Sequence, residues 1–218
     1  MSRALLLNFS PHGTAARVYR LAADVLGNWA GVSTVMHRQL GGEPLPALSS
    51  DYATAVTSVA GMENVAIHAS ERQIVELETS DLLVLCTPLH NFTLPAAMKL
   101  WIDHVVRIQR SFGVNSAGEK FGLLKDRPTF VLVSSGGFIQ GERARQPDFL
   151  TPYLKAILGS IGIHQLTFIY LEGSVRGSEA VEQGLAVARE ALLKGLQVET
   201  RTGRSQFAGD EASESCFA

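Results

Sequence analysis

Three short stretches of this chain carry residues whose types and spacing suit ligand chemistry. The first, "SPHGTAAR" at 10–17, sets the hydroxyls of Ser10 and Thr14 just ahead of a helical pattern. A helix N-terminus with exposed backbone donors and nearby hydroxyls is a seat for phosphate. The second, "TPLHNFTLP" at 87–95, places Leu89, His90, Asn91 and Phe92 between an apolar run and a helix. That bulky, partly polar set suits one wall of a pocket for a flat, partly polar ring. The third, "SSGGFIQGERARQ" at 134–146, holds Ser134, Ser135, Gly136 and Gly137. Glycines there let a backbone come close enough to a ring to hydrogen-bond its edge. Each stretch also has a plainer reading. Ser10-Pro11 makes an ordinary turn and cap, Leu89 and Phe92 make ordinary core packing, and Gly136-Gly137 makes an ordinary turn.

The elements that carry these stretches decide between the readings. Apolar runs predict strands at 3–9, 32–38, 81–86, 128–134 and 165–171, and amphipathic patterns predict helices at 14–30, 51–78, 96–107, 149–159 and 178–197. Alternating strands and helices imply parallel pairing with helices on both faces. The runs "LLVLC", "FVLVS" and "LTFIY" are apolar without alternation, as strands buried on both sides are. The predicted fold is therefore α/β, a doubly wound five-stranded parallel sheet. Such sheets bind ligands beyond the carboxyl ends of their strands, where the strand order reverses. All three stretches follow strands, so all three would meet at that edge, and their convergence favours a site. One domain is expected over 1–197, followed by a polar tail at 198–218 without regular structure.

Composition narrows the function. The formal net charge of −2 offers no basic face for a nucleic acid. The two cysteines, Cys86 in a strand and Cys216 in the tail, make no disulfide framework, which suits a reducing compartment. The opening "MSRALLLNFS" is too short an apolar run for a secretory signal, and no stretch approaches the ~18 apolar residues of a spanning helix. A soluble cytoplasmic protein is expected. The first strand–helix turn lacks G-x-G-x-x-G, and the chain has no phosphate-binding G-x-x-x-x-G-K-[ST] and no G-x-S-x-G elbow. No His, Cys and carboxylate group shows metal-ligand spacing. Lys99 and Asp103 read as an i,i+4 surface ion pair, and Cys86 as an inert core thiol. "GERAR" at 141–145 reads as a solvated loop, or as arginines that attract the phosphates of a nicotinamide dinucleotide.

Three denser stretches, "PLHNFTLPAAMKLWIDHVVR", "SSGGFIQGERARQPDFLTPYLKAILGSIGI" and "FIYLEGSVRGSEA", carry a resemblance to a known family. The chain resembles the FMN-dependent NADH:azoreductases, which also reduce quinones, within the flavodoxin-like quinone reductases. The resemblance implies the flavodoxin-like strand order 2-1-3-4-5, FMN as cofactor, and NADH or NADPH as electron donor. It also implies quinone or azo acceptors, ping-pong turnover and a homodimer whose sites include partner residues. Carried over to this sequence, Ser10 would bind the FMN phosphate. Leu89, His90, Asn91 and Phe92 would line the isoalloxazine and ribityl chain, and Ser134, Ser135, Gly136 and Gly137 the ring's other edge. His90, where the family often has Tyr, would be a proton source, and Phe112 and Phe138 would belong to the substrate wall. Relatives place two further serines where this chain has Ala16 and Val18, so the phosphate seat would rest on Ser10 and on backbone N–H groups around Ala16, Arg17 and Val18, with Thr14 and His12 nearby. Val114 stands near a position where relatives carry a substrate-facing Tyr.

Three rivals remain on the same topology. A flavodoxin-like one-electron carrier would be strongly acidic. A signalling receiver would need an acidic pair after the first strand and an Asp ending the third, where this chain has Phe9-Ser10 and Cys86-Thr87. A hydrolase using Ser10 lacks a partner for it.

Overall fold

The computed structural model describes residues 2–57 and 64–213, with side chains described as far as 199. Its centre is a five-stranded parallel sheet built from β1 (Ser2–Asn8), β2 (Val32–Arg38), β3 (Leu82–Pro88), β6 (Thr129–Ser134) and β7 (Leu166–Leu171), in the order β2-β1-β3-β6-β7. With the strands of this sheet numbered in sequence, that is the expected 2-1-3-4-5.

Period-two alternation sends β1, β3 and β6 into two cores. Leu5, Leu7, Leu83, Leu85, Val131 and Val133 pack on one face with residues of α3 (His68–Glu78), α4 (Ala96–Val105) and α5 (Leu150–Gly159), among them Ile74, Trp101 and Leu154. Ala4, Leu6, Val84, Cys86, Phe130 and Leu132 pack on the other with α1 (Arg17–Asn28) and α6 (Ser178–Ser213), through Ala22, Val25 and Leu192. Both faces of β3 are covered, and for that reason its sequence shows no polar alternation. Cys86 is fully buried, and burial pushes its thiol pKa up, so it is inert as expected. Lys99 and Asp103 form the expected ion pair on α4.

Four boundaries differ from the sequence expectation. The first helix begins at Arg17, not at 14, because Gly13–Ala15 form a separate 3-10 turn that Gly13 enters at φ 53°. The stretch 51–78 is not one helix. It divides into α2 (Ser50–Thr57), a 3-10 turn at Val65–Ile67 capped by the Asn64 side chain, and α3, with 58–63 outside the described residues. A hairpin of β4 (Phe112–Val114) and β5 (Lys120–Gly122) stands where the sequence predicts nothing regular, since three residues are too few to display a period. The last helix runs past 197 to Ser213, into the segment expected to be irregular. Extending an existing helix costs far less than nucleating one, so a polar run with few glycines follows the turn before it.

Candidate functional site

The first loop is held by one buried amide. Asn8, at the end of β1 and fully buried, donates from Nδ2 to Gly13 O at 2.6 Å and to Gln39 Oε1 at 2.8 Å, and its Oδ1 accepts the Ser10 N–H at 3.1 Å. The loop closes by a hydrogen bond from Gly13 N–H to Ser10 O at 3.1 Å, while Ser10 Oγ accepts the His12 N–H at 3.3 Å. The chain then enters α1 through Ala16, whose methyl side chain caps nothing, and the first turn of α1 holds no acidic residue. Its leading N–H groups lack helical acceptors and sit at the positive end of the helix dipole. Arg20 N–H is bonded back to Ala16 O, so the free donors precede it. The arrangement suits an anion, with donors mostly from the backbone and the exposed Arg17 beside them. Asn8→Ala is expected to strand the Ser10 N–H and Gln39 Oε1, leave Gly13 O with the Ala16 N–H alone, lower stability by about 1–3 kcal/mol and weaken anion binding at the loop roughly tenfold. Urea melts and ligand titration check both, and unchanged binding would show that Asn8 does not shape the seat.

The second loop is a strained turn. His90 and Thr93 exchange backbone hydrogen bonds of 2.9 Å each, and the residues between them, Asn91 and Phe92, have φ of 48° and 67°. Asn tolerates the left-handed region, whereas Phe adopts it at a cost of about 1–3 kcal/mol. The turn is braced from both sides: Leu89 N–H donates to Ser134 O at 2.8 Å, and Phe149 N–H donates to Phe92 O at 3.0 Å. Strain held by such bracing belongs to sites more often than to plain connections.

The third loop is tied to the loop after β7. Ser135 N–H donates to Leu171 O, Ser135 O accepts from Ser174 N–H at 3.1 Å, and Gly137 O accepts from Gly173 N–H at 3.3 Å. The Glu172 carboxylate takes the N–H groups of Ile139 at 2.6 Å and Gln140 at 2.9 Å.

The loops enclose an open cleft of about 400 Å³ at the carboxyl edge of the sheet, across the ends of β1, β3, β6 and β7. Of the residues expected at the site, Ser10, Ala16, Arg17, Leu89, His90, Ser134 and Gly136 line it together. Val18 does not: its side chain is buried in the core under α1, with its carbonyl facing Cys86 Sγ. Ser135 is likewise buried as a link between loops, and Gly137 lies against the Gln146 side chain. Asn91 and Phe92 form the tip of the braced turn, exposed beyond the lining. Phe112 is buried in the core beside the hairpin, not in the cleft wall, while Val114 is exposed.

Sequence reasoning missed Pro88, Leu171 and Ser174 in the lining. The loop after β7 also leaves the carboxyl edge, a signal that would have pointed to Ser174. The donor set fits FMN. Uncapped amides and Ser10 suit its phosphate, and apolar Leu89 and Leu171 with polar His90 and Ser134 suit a ring with an apolar body and hydrogen-bonding edges.

Known proteins share this fold and much of this sequence. A family profile described as flavodoxin-like fold matches residues 2–196. FMN-dependent NADH:quinone oxidoreductase 4 of Pseudomonas fluorescens is 51% identical over 195 residues, which cover 88% of this chain and 94% of that protein. FMN-dependent NADH:quinone oxidoreductase 5 of Burkholderia lata is 44% identical over 204 residues, covering 92% of this chain and 100% of that protein. In fold, the chain resembles an FMN-dependent NADH-azoreductase from Bacillus anthracis solved in complex with FMN, with a TM-score of 0.73 at 19% identity over 89% of this chain and 99% of the other. On its length, its sheet order and these identities, the chain belongs to the flavodoxin-like family that includes the FMN-dependent NADH:quinone oxidoreductases.

Proposed function

We propose that this chain is an FMN-dependent oxidoreductase that passes two electrons from NADH or NADPH to quinones or azo compounds. The observation that carries the reading is the cleft itself: an uncapped helix N-terminus faces a braced, strained turn across the carboxyl edge of the sheet. Ser10 and the free backbone N–H groups of Arg17, Val18 and Tyr19 would hold the FMN phosphate, whereas the Ala16 N–H, expected there from the sequence, is bonded to Gly13 O at 3.1 Å. Leu89, His90 and Ser134 would line the ring and its side chain, with Asn91, Phe92, Ser135, Gly136 and Gly137 along or behind its edges. Bound FMN supplies the two-electron redox chemistry, which no protein side chain can.

The protein's own tasks are position, electronics and water exclusion. His90 lies on the cleft wall and carries an imidazole able to give a proton to the reduced acceptor. With a methyl group at Ala16, the seat rests on backbone donors and Ser10. Neutral hydroxyl donors contribute on the order of 1 kcal/mol each, so their absence weakens the seat without abolishing it.

A homodimer in the cytoplasm completes the proposal. Phe92 and Phe149, whose backbones are joined by a hydrogen bond of 3.0 Å, both leave their side chains exposed, and exposed apolar groups of this size support a covering partner. Among the described residues no helix is long and apolar enough to cross a membrane.

The experiment is direct. The purified protein is expected to be yellow, to release FMN on denaturation, and to oxidise NADH faster when a quinone is present. Colourless protein that FMN cannot reconstitute would sink the reading. Colour without NAD(P)H oxidation would replace the enzyme with a carrier.

A further inference from the structure

The arginines of "GERAR" play no part in the cleft wall, yet the structure gives one of them a defined place. Arg143 lies over the Phe138 ring with its guanidinium carbon 4.4 Å from the ring centroid. Arg176, from the loop after β7, lies over the same ring at 5.4 Å. Two cations sharing one aromatic ring repel each other, so the arrangement asks for an anion between or beside them. No carboxylate supplies it: among the described residues neither guanidinium has an ion pair or a side-chain hydrogen bond, and both are exposed. Arg145 differs, since its guanidinium donates to Glu142 O and Ala144 O.

The platform is rigid. The Glu172 carboxylate grips the N–H groups of Ile139 and Gln140, just beyond Phe138, and Phe138 O accepts the Arg145 N–H at 2.9 Å. Gly173 adopts φ 67°, and a Cβ there would stand 3.0 Å from Phe138 Cζ and 3.4 Å from Arg176 Cδ. Glycine suits the left-handed backbone here and leaves the ring and the second arginine room that a side chain would crowd. The platform also adjoins the cleft. Gly136 and Ser174, which line the cleft, are two residues from Phe138 and from Arg176 in the chain.

We propose that Arg143 and Arg176, held on Phe138, bind the diphosphate of the dinucleotide electron donor while its nicotinamide enters the cleft. The proposal rests on the oxidoreductase reading above and adds to it the residues that recognise the donor. The FMN phosphate has its own seat at α1, on the loop after β1, so the rim arginines are free for a second anion. Planar guanidiniums fixed by stacking lose little freedom when they bond phosphate oxygens, which is what makes arginine effective in this role.

The test uses the FMN-loaded full chain and three probes. The first is NADH. The second is 1-benzyl-1,4-dihydronicotinamide, which has the reacting ring and no phosphate. The third is ADP-ribose, which has the diphosphate and no nicotinamide. The double variant R143Q/R176Q is expected to lose kcat/KM for NADH on the order of tenfold more than it loses kcat/KM for the benzyl donor, mainly through KM. Its calorimetric Kd for ADP-ribose is expected to rise by a similar factor, and R143K/R176K to recover part of the loss. Equal losses with both donors, or an unchanged Kd for ADP-ribose, overturn the rim assignment. Wild-type protein that oxidises neither donor overturns the oxidoreductase reading instead, and the ADP-ribose titration still decides the rim.

Discussion

Ala16→Asp is expected to make the FMN-free protein more stable and, in the same molecule, to cost it at least roughly a hundredfold in FMN affinity, the loss of two charge-assisted hydrogen bonds. Ala16 occupies the N-cap of α1 in the extended conformation of a capping residue, φ −60° and ψ 127°, but offers no side-chain acceptor. An aspartate there would accept the N–H of Val18 or Tyr19 and stabilise the helix by about 1 kcal/mol. In a chain of this size such a gain raises Tm by about 2–4 °C. The same N–H groups are the donors assigned to the phosphate, and a carboxylate among them repels a phosphate as well as displacing it. Capping and ligand binding therefore compete for one set of donors. Thermal melts without flavin and fluorescence titration with FMN measure the two effects separately. FMN affinity that survives the substitution would place the phosphate elsewhere, whatever happens to Tm.

Gly41→Ala is expected to destabilise the protein by roughly 2–4 kcal/mol and to strip it of FMN, although residue 41 lies outside the cleft lining. A Cβ at this position would lie 2.2 Å from Ser10 O, 2.4 Å from Ser10 C and 2.6 Å from Phe9 C. All three are backbone atoms, so no rotamer change relieves the overlap. Gly41 N–H also donates to Asn8 O at 2.9 Å, which ties the loop after β2 to the residue that organises the phosphate loop. The methyl must therefore push Ser10 out of place or pull the β2 loop off β1. Gly27→Ala provides the control. Gly27 lies inside α1 with nothing within 4 Å of an added Cβ, and alanine there is expected to stabilise by about 0.5–1 kcal/mol. Urea midpoints for the two variants should shift in opposite directions. A Gly41→Ala protein as stable as wild type would mean that the two loops do not meet as described.

Both substitutions concern groups that sequence reading treated very differently. Ala16 drew notice there as a departure from the family's serines, and the structure puts its methyl on the cleft wall and its backbone at the cap. Val18, singled out on the same grounds, has its side chain in the core with Leu21, Ala22 and Val25. The helical period had already set Val18 on the apolar face with those residues, and that face is the one buried. The 3-10 turn at Gly13–Ala15 depends on the bond from Asn8 Nδ2 to Gly13 O, a contact invisible until β1 and the loop are in place. Gly41 drew no notice at all, since "LGGEP" reads as an ordinary turn. Its requirement for glycine comes from Ser10, on another loop. The rim platform is of the same kind: Arg143 was visible as a charge, but its partner Arg176 and the ring between them come from a second loop.

The sequence alone determined the alternation of the five sheet strands with helices, the two-sided burial of the central strands, and the edge on which the candidate loops gather. Those follow from short-range periodicity and from the chirality of strand–helix–strand connections, both of which the chain writes locally. Only the tertiary structure decided which of the candidate residues share one cavity, which support it from behind, and where a methyl group has no room. These depend on distances between loops far apart in sequence, and such distances exist only once the sheet has brought β1, β3, β6 and β7 into line.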